Sequence, residues 1–251
     1  MKKRLGIIDS GIGGLSLLDG MSCANLNLDY FYCSDNKNVP YGEKTQAFMV
    51  QRVVEMVEGI KKKNVDAILL ACNTLTAQTI DLLRDKYSLP FIGIEPYINF
   101  YNLLDPDQSK LVLILTKATF DSARFKKLRD LKDPHHKVDV FTPAHLAVLI
   151  ESCKGNFQSH RKILKEELEL LKDKNYTHCI LGCTHYPFVK EFIANYLNLE
   201  VIDPTEHVVK EVRRVLDLGT IKKSQDKFEY STDCAQSWNK TSFHYIKSLY
   251  Y

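Results

Sequence analysis

Short apolar runs alternate with amphipathic patterns along almost the whole 251-residue chain. Residues 67–71 are apolar at every position, which is typical of a strand that is buried on both faces. Residues 45–63 instead place Val and Ile at helical spacing, behind a Thr45 that is suited to cap a helix. Strands that alternate with helices over short connections predict an α/β fold, with helices on both faces of a parallel sheet. The other predicted strands lie at 5–8, 30–32, 91–94, 111–115, 138–141, 179–181 and 201–202, and the other predicted helices at 15–21, 76–86, 120–131, 145–153 and 157–172.

The chain is long enough for one large domain or for two lobes of about 100–150 residues. Proline-containing breaks occur near Pro96 and Pro204, where one series of elements ends and another begins. We therefore predict two α/β lobes, each a parallel sheet flanked by helices, with the active site in the cleft between them. The tail after Pro204 reads as one helix, one strand and a final helix, which is too short for a lobe of its own and is expected to return to the first. The predicted lobes are 1–95 plus 205–251, and 96–204.

Composition and charge exclude several classes of function. The formal net charge is only +3 and the basic residues occur in scattered clusters, so binding to nucleic acid is not indicated. No apolar run approaches the roughly 18 residues of a membrane span, and the first residues do not form a signal peptide. We therefore predict a cytoplasmic protein with no nucleic-acid or membrane partner. Its seven cysteines are irregularly spaced, without a Cys-x-x-Cys pair or zinc spacing, so reduced thiols and no metal site are expected.

Two cysteines are placed in the same way. Cys72 follows the apolar run 68–71 and precedes Asn73-Thr74, and Cys183 follows 179–182 and precedes Thr184-His185. Each thiol therefore lies at the end of a predicted strand and before a helix start, where a helix N-terminus and a nearby cation lower a thiol pKa. Asp9 is expected to face Cys72, and His185 lies two residues beyond Cys183. The other cysteines are interpreted as core or incidental residues, because cysteine is among the most buried residue types.

Two matched thiols favour a racemase that needs no cofactor. The α-proton of an amino acid is a very weak acid, and its removal leaves a planar carbanion that must be reprotonated from the opposite side. One base on each face achieves this without moving the substrate, and a thiolate tolerates a closed, dry pocket. The carboxylate also needs hydrogen-bond donors for the charge that builds up on it. Candidate donors are Ser10, Asn73, Thr74 and Thr184.

The glycine-rich segment 9–14 has more than one interpretation. A dinucleotide-binding loop requires a third glycine where this chain has Ser16, and Asp9 would repel a phosphate. Backbone N–H groups at a helix start also favour a small anion such as a carboxylate. A tight turn from strand to helix would by itself explain the glycines, but it would not explain Asp9 and Ser10.

Taken in order, motifs along nearly the whole chain resemble those of glutamate racemase, a member of the aspartate/glutamate racemase superfamily. Each motif is weak alone, whereas the ordered series is highly specific. The motifs are Asp9-Ser10-Gly11 with Gly13-Gly14, Asp35 followed by Val39-Pro40-Tyr41-Gly42, Ala71-Cys72-Asn73-Thr74, Ile94-Glu95-Pro96, Thr116-Lys117-Ala118-Thr119, Leu149-Ile150-Glu151 and Gly182-Cys183-Thr184-His185-Tyr186-Pro187.

The resemblance implies interconversion of L- and D-glutamate without pyridoxal phosphate, metal or other cofactor, and a supply of D-glutamate for peptidoglycan. It implies Cys72 as the acid/base residue for D-glutamate and Cys183 as that for L-glutamate, with Asp9 and His185 as catalytic partners and Glu151 as a supporting acid. It also allows a homodimer, without indicating which surface would be used. The implied substrate contacts are Asp9, Ser10, Tyr41, Gly42, Asn73, Thr74, Thr119, Thr184 and His185.

Several positions depart from the family pattern, and other functions stay open. The departures are Cys33, Asn38, Leu115 and Ser152-Cys153, none of which is one of the two thiols. A racemase for a shorter acid such as aspartate is the nearest alternative, although unfilled polar groups would penalise it. A relative that has lost catalysis and binds a partner is a second alternative, against which the presence of both thiols argues.

Overall fold

The computed structural model describes residues 2–105, 108–153, 156–219 and 226–242. Its strands form two separate sheets, one of six strands and one of four. In chain order the strands are β1 (Lys3–Asp9), β2 (Leu28–Ser34), β3 (Ala67–Leu70), β4 (Phe91–Gly93), β5 (Leu111–Leu115), β6 (Val138–Phe141), β7 (His178–Gly182), β8 (Glu200–Ile202), β9 (Lys227–Ser231) and β10 (Asn239–Thr241).

The first sheet has the order β10-β9-β2-β1-β3-β4, and the second has the order β6-β5-β7-β8. All neighbouring pairs are parallel except the pair of β10 with β9. The helices that connect the strands are α1 (Gly14–Cys23), α2 (Gln46–Lys61), α3 (Asn73–Lys86), α4 (Lys117–Asp121), α5 (Ala123–Lys132), α6 (Leu146–Cys153), α7 (Arg161–Leu168), α8 (Lys190–Leu197) and α9 (Thr205–Val215).

Both faces of each sheet are covered by helices, because the strands are apolar on both sides. In β1, Ile7 packs in one core with α1 and α9, whereas its neighbour Ile8 packs in a second core with α2 and α3. The four-stranded sheet likewise separates two cores, with Ile114 in one and Leu113 in the other. The predicted α/β fold with two lobes is confirmed.

The tail returns to the first sheet, as its length suggested. Strand β9 pairs in parallel with β2, and Val208 and Val212 of α9 pack in the same core as Leu15 and Leu18 of α1. The predicted final helix lies in 243–251, outside the described residues. The lobe boundaries 1–95 plus 205–251 and 96–204 stay a prediction.

Some elements differ from their predicted bounds for local reasons. The helix predicted at 120–131 is two helices, because the Ser122 hydroxyl accepts a hydrogen bond from the Phe125 N–H (3.0 Å) and thereby caps a new helix. The helix predicted at 157–172 is α7, flanked by short 3₁₀ segments at Gln158–His160 and Glu169–Leu171. Thr45 caps α2 as predicted, by accepting from the Phe48 N–H. Within the part of the chain that the structure describes, no helix is both long and apolar enough to cross a membrane.

Candidate active site

The candidate site lies where the carboxyl ends of strands from the two sheets meet. Strand β1 ends at Asp9 and Cys72 follows β3 in the first sheet, whereas Cys183 follows β7 in the second. Direct hydrogen bonds join the two sets of loops. The Thr184 hydroxyl donates to Asp9 Oδ2 (3.2 Å), and the Ile12 N–H donates to Glu151 Oε2 (3.1 Å). The site residues of both lobes therefore form one continuous structure.

Cys72 is a buried thiol that also caps a helix. Its Sγ accepts from the Leu75 N–H (3.5 Å) at the start of α3 and lies 3.6 Å from Ser10 Oγ. Burial and then the Asp9 carboxylate raise the Cys72 pKa to about 12, and the Cys183 sulfur is close enough to add to the shift. The expectation of a lowered thiol pKa is therefore wrong for Cys72, because loss of hydration outweighs the helix N-terminus. Cys72 is a thiol at neutral pH.

Cys183 is also buried, but its neighbour carries the opposite charge. Its Sγ lies 3.7 Å from Nδ1 of His185, and His185 Nε2 lies 2.6 Å from Glu151 Oε2. Burial opposes the charged imidazolium, yet the hydrogen bonds to Cys183 and Glu151 hold the His185 pKa well above its ordinary value. An imidazolium therefore faces Cys183 at neutral pH.

Asp9 connects these two halves. Its Oδ1 accepts from the Gly11 N–H (2.8 Å), and its Oδ2 accepts from Thr184 of the other lobe. Burial raises the Asp9 pKa above its ordinary value, against the opposing effects of the His185 charge and the Gly11 N–H. Asp9 thus lies fully buried between the two thiol-bearing loops.

The glycine loop is filled by side chains of the second lobe. A Cβ at Gly11 would collide with the Glu151 carboxylate, and one at Gly13 would collide with Thr184 and His185. These glycines therefore allow the loops of the two lobes to touch. The space that a dinucleotide phosphate would need over this helix start is occupied, which argues against the dinucleotide interpretation.

A cluster of three threonine hydroxyls crosses between the lobes. Thr74 of α3 lies 2.9 Å from Thr116 and 3.4 Å from Thr119, and Thr116 and Thr119 lie 2.8 Å apart (Oγ1–Oγ1). Thr116 was not among the predicted site residues. The sequence feature that could have indicated it is its place in the motif Thr116-Lys117-Ala118-Thr119. In the structure, Thr116 also caps α4.

Asn73 is the polar side chain of this region that lacks a partner. It is only 3% exposed, yet neither its Oδ1 nor its Nδ2 has a hydrogen-bond partner among the described residues. A buried amide without partners is unfavourable by about 1–3 kcal/mol. The amide is therefore available to bind a polar ligand.

Tyr41 and Gly42 are held at the edge of the site by Asp35. The Tyr41 hydroxyl donates to Asp35 Oδ2 (2.7 Å), so it is already used within the protein. Asn38, one of the departures from the family pattern, also donates to Asp35, and Arg52 supplies the cation. Gly42 lines a cavity of about 270 Å³ together with Thr116, Tyr186 and the start of α6.

The structure thus makes three neighbouring groups of contacts, which are Ser10 with Cys72, Asp9 with Thr184, and Cys183 with His185 and Glu151. Asn73 and Thr74 follow Cys72 at the start of α3, and Thr74 is close to Thr119. Asp35 is a second residue for which no role had been predicted. Among residues 2–105, 108–153, 156–219 and 226–242, no group of three or more His, Cys, Asp or Glu side chains is placed to hold a metal ion.

Two parallel-sheet lobes that each place a thiol at the end of a strand indicate an α/β racemase. A family model described as Asp/Glu/Hydantoin racemase matches residues 22–212. The chain belongs to this family, and it is an amino-acid racemase.

Several relatives are similar over most of their length. Glutamate racemase from Leptospira borgpetersenii is 36% identical over 219 residues, which is 86% of this chain and 83% of the relative. Glutamate racemase from Clostridium botulinum is 33% identical over 226 residues, which is 89% of this chain and 87% of that one.

Two solved structures resemble the fold. Escherichia coli glutamate racemase, in complex with L-glutamate and an activator, UDP-MurNAc-Ala, matches with a TM-score of 0.80 at 26% identity, over 92% of this chain and 88% of its own. Francisella tularensis glutamate racemase in complex with D-glutamate matches with a TM-score of 0.75 at 28% identity, over 91% of this chain and 87% of its own.

Proposed function

We propose that the protein interconverts L- and D-glutamate by a two-cysteine proton transfer without a cofactor, and that it supplies D-glutamate for peptidoglycan synthesis. The main support is the pair of buried thiols, one from each lobe, whose flanking residues Asp9 and Thr184 are joined by a hydrogen bond between the lobes. The names of the similar proteins support glutamate as the substrate.

The charged neighbours of the two thiols support different roles for them in this reaction. Cys183 faces the His185 imidazolium, whereas Cys72 lies beside Asp9 and keeps its proton. In the L-to-D direction, the Cys183 thiolate removes the α-proton and the Cys72 thiol protonates the carbanion from the opposite side. Cys183 then carries a proton and Cys72 is a thiolate, so D-glutamate reacts by the reverse steps.

The polar side chains around the thiols supply the substrate contacts in this proposal. The unpartnered Asn73 amide donates to a carboxylate through Nδ2 and accepts from the ammonium group through Oδ1. The hydroxyls of Ser10, Thr74, Thr119 and Thr184 can rotate to donate to carboxylate oxygens. Because these side chains are already placed on the folded elements, they need only reorient their hydroxyl hydrogens to stabilise the charge of the carbanion. Since the Tyr41 hydroxyl is bound to Asp35, we assign its loop a backbone contact through Gly42.

The proposal is tested with purified protein in heavy water, with no added cofactor and with L-glutamate and L-aspartate in parallel. The optical rotation of glutamate is expected to fall to zero while deuterium enters at Cα, as NMR would detect. Turnover of aspartate but not of glutamate would support the aspartate alternative. If well-folded protein exchanged the α-proton of neither glutamate nor aspartate, racemisation of both amino acids would be contradicted.

A further inference from the structure

The second lobe carries a basic cavity that the proposed reaction does not use. It has a volume of about 600 Å³, within the roughly 300–1,000 Å³ typical of small-molecule sites. Its walls are α7, α8 and the turns that flank them. The cations that line it are Arg161, Lys165, Lys172 and Lys190, and the acid that lines it is Glu191.

The structure shows these cations without carboxylate partners in the part of the chain that it describes. None of the four forms an ion pair with a carboxylate among the residues that the structure describes. Glu169, which does not line the cavity, accepts a hydrogen bond from the Tyr196 hydroxyl. The cavity therefore holds a surplus of positive charge that attracts an anion with two or more charges.

Two aromatic rings set the positions of three of the cations. Phe192 and Tyr196 of α8 stack with their centroids 5.7 Å apart. The Arg161 guanidinium lies 5.4 Å from the Phe192 centroid, and the ammonium groups of Lys165 and Lys172 lie 5.6 and 5.4 Å from the Tyr196 centroid. Cation–π contacts of this kind hold long side chains in place, which lowers the entropy that a ligand must remove.

We propose that this cavity binds an oligophosphate, meaning two or more linked phosphate groups, either free or as the tail of a nucleotide. Lysine and arginine are the usual phosphate ligands, and linked phosphates match a set of cations spread over α7, α8 and the turn at Lys172. The exposed faces of the aromatic pair are already in contact with cations. The phosphate groups, rather than a stacked base, are therefore expected to provide the affinity.

The position of the cavity relates it to the candidate active site. Pro187, Phe188 and Val189 form one of its walls and belong to the 3₁₀ helix Tyr186–Val189, which begins directly after His185. This 3₁₀ helix is hydrogen-bonded to the loop that carries Cys183, because the Tyr186 N–H donates to the Cys183 carbonyl (3.1 Å). A ligand in this cavity would contact a segment that continues into the Cys183 loop.

The test is calorimetric titration of the full chain with pyrophosphate, ADP and inorganic phosphate at about 20 mM salt, where exposed charges are weakly screened. Saturable one-to-one binding of pyrophosphate is expected, with inorganic phosphate at least about tenfold weaker. Similar affinities for pyrophosphate and ADP would support recognition of the phosphates alone. Tighter binding of ADP would support the site and identify a nucleotide as the source.

The matched variants are Lys165→Ala/Lys172→Ala in the cavity and Lys126→Ala/Lys127→Ala on α5, which remove the same charge. The cavity variant is expected to weaken pyrophosphate by at least about tenfold, and the control is expected to change it by less than about twofold. Arg161→Gln provides a second cavity variant if the double variant does not fold. Absence of saturable binding, equal affinity for inorganic phosphate, or equal weakening by the control would overturn the proposal.

Discussion

Cys72 and Cys183 have charged neighbours of opposite sign. Cys72 has a buried carboxylate, Asp9, as its charged neighbour, and Cys183 has the His185 imidazolium. A carboxylate favours the protonated form of a thiol, whereas a cation favours the thiolate. The two residues therefore differ in the sign of their nearest charged neighbour.

Replacement of either thiol is the most direct test at this scale. Cys72→Ala and Cys183→Ala are each expected to lower the rate of racemisation by about 10²–10⁴-fold or more, because each removes one proton carrier. Polarimetry measures the rate, and circular dichroism verifies the fold. Cys23→Ala is the control, since Cys23 is an exposed free cysteine and should retain full activity. Near-normal turnover without either Cys72 or Cys183 would remove that thiol from the mechanism.

Glu151 is expected to set the pH range of activity through His185. Glu151→Gln removes a carboxylate that raises the His185 pKa, so the alkaline limb of the pH–rate profile should move to lower pH. The rate at neutral pH should fall by about a hundredfold or less, because the imidazole loses its orientation. A purely structural role for Glu151 would lower the rate without moving the limb.

The pair of His185 and Glu151 should contribute to the stability of the folded protein in a pH-dependent way. The His185 pKa is raised in the folded protein, so its contribution is complete below the unfolded-state pKa of histidine, about 6.5. It is lost as the pH rises through the higher folded-state value. The difference in melting temperature between the wild type and Glu151→Gln should therefore shrink at alkaline pH, as differential scanning calorimetry would measure.

At the residue scale, the sequence predicted those groups whose chemistry is visible in a motif. Cys72, Cys183 and His185 were recognised because a thiol or imidazole beside small polar residues at a strand end is unusual. Thr116 and Asp35 were not assigned a role, because theirs depend on contacts from other loops. The raised Cys72 pKa was also missed, because burial depends on the closed arrangement of both lobes.

Among the elements, the glycine loop makes the closest backbone approach to side chains of the other lobe that the site contains. Gly13→Ala should destabilise the closed arrangement by about 1–3 kcal/mol, because the new methyl group meets Thr184 and His185 of the other lobe. Racemisation should fall steeply while both sheets stay folded. Activity assays together with circular dichroism distinguish this result from general unfolding.

Thr45→Ala provides the contrasting case for an element away from the site. It removes the N-cap of α2 and should lower the free energy of unfolding by about 1 kcal/mol, as urea denaturation would measure. Its racemisation rate should equal that of the wild type. A loss of activity in this variant would indicate that stability alone accounts for the effect of Gly13→Ala.

Element positions were predicted better than element ends. Helix α3 begins at Asn73 rather than at Thr76, because the Cys72 sulfur serves as its N-cap in place of the usual oxygen. Helix α5 begins after a capping serine inside a segment that reads as one continuous helix. In both cases a single side-chain contact decides where the helix starts.

In the whole molecule, Arg124 joins the two lobes away from the thiols. It donates to Glu95 beyond β4 and to Asp81 of α3, at 2.7 and 2.6 Å. Because Asp81 is largely exposed, Arg124→Ala should lower stability by only about 1 kcal/mol, as urea denaturation would measure. Its larger effect should be a raised KM for glutamate, since closure of the lobes loses a contact. Arg214→Ala, which breaks an exposed pair on α9, should change neither quantity.

The arrangement of two lobes followed from the alternating pattern, but the basic cavity did not. Its cations lie at positions 161, 165, 172 and 190, so no run of basic residues marks them in the sequence. They converge only because α7, α8 and the turn at Lys172 lie around the same core. Features that depend on such convergence are seen only in the folded molecule.

The depth of the two sulfurs has a consequence for successive turnovers. Cys72 and Cys183 are only 5% and 7% exposed, so a hydrogen held by either thiol is largely shielded from bulk water. Under the proposed mechanism, conversion of L-glutamate leaves a hydrogen on Cys183 and none on Cys72. After product release, the free enzyme is therefore protonated for conversion of D-glutamate to L-glutamate. The protonation of the free enzyme therefore depends on which isomer it last released. Proton exchange with solvent restores the original state, at the rate at which solvent reaches the two thiols.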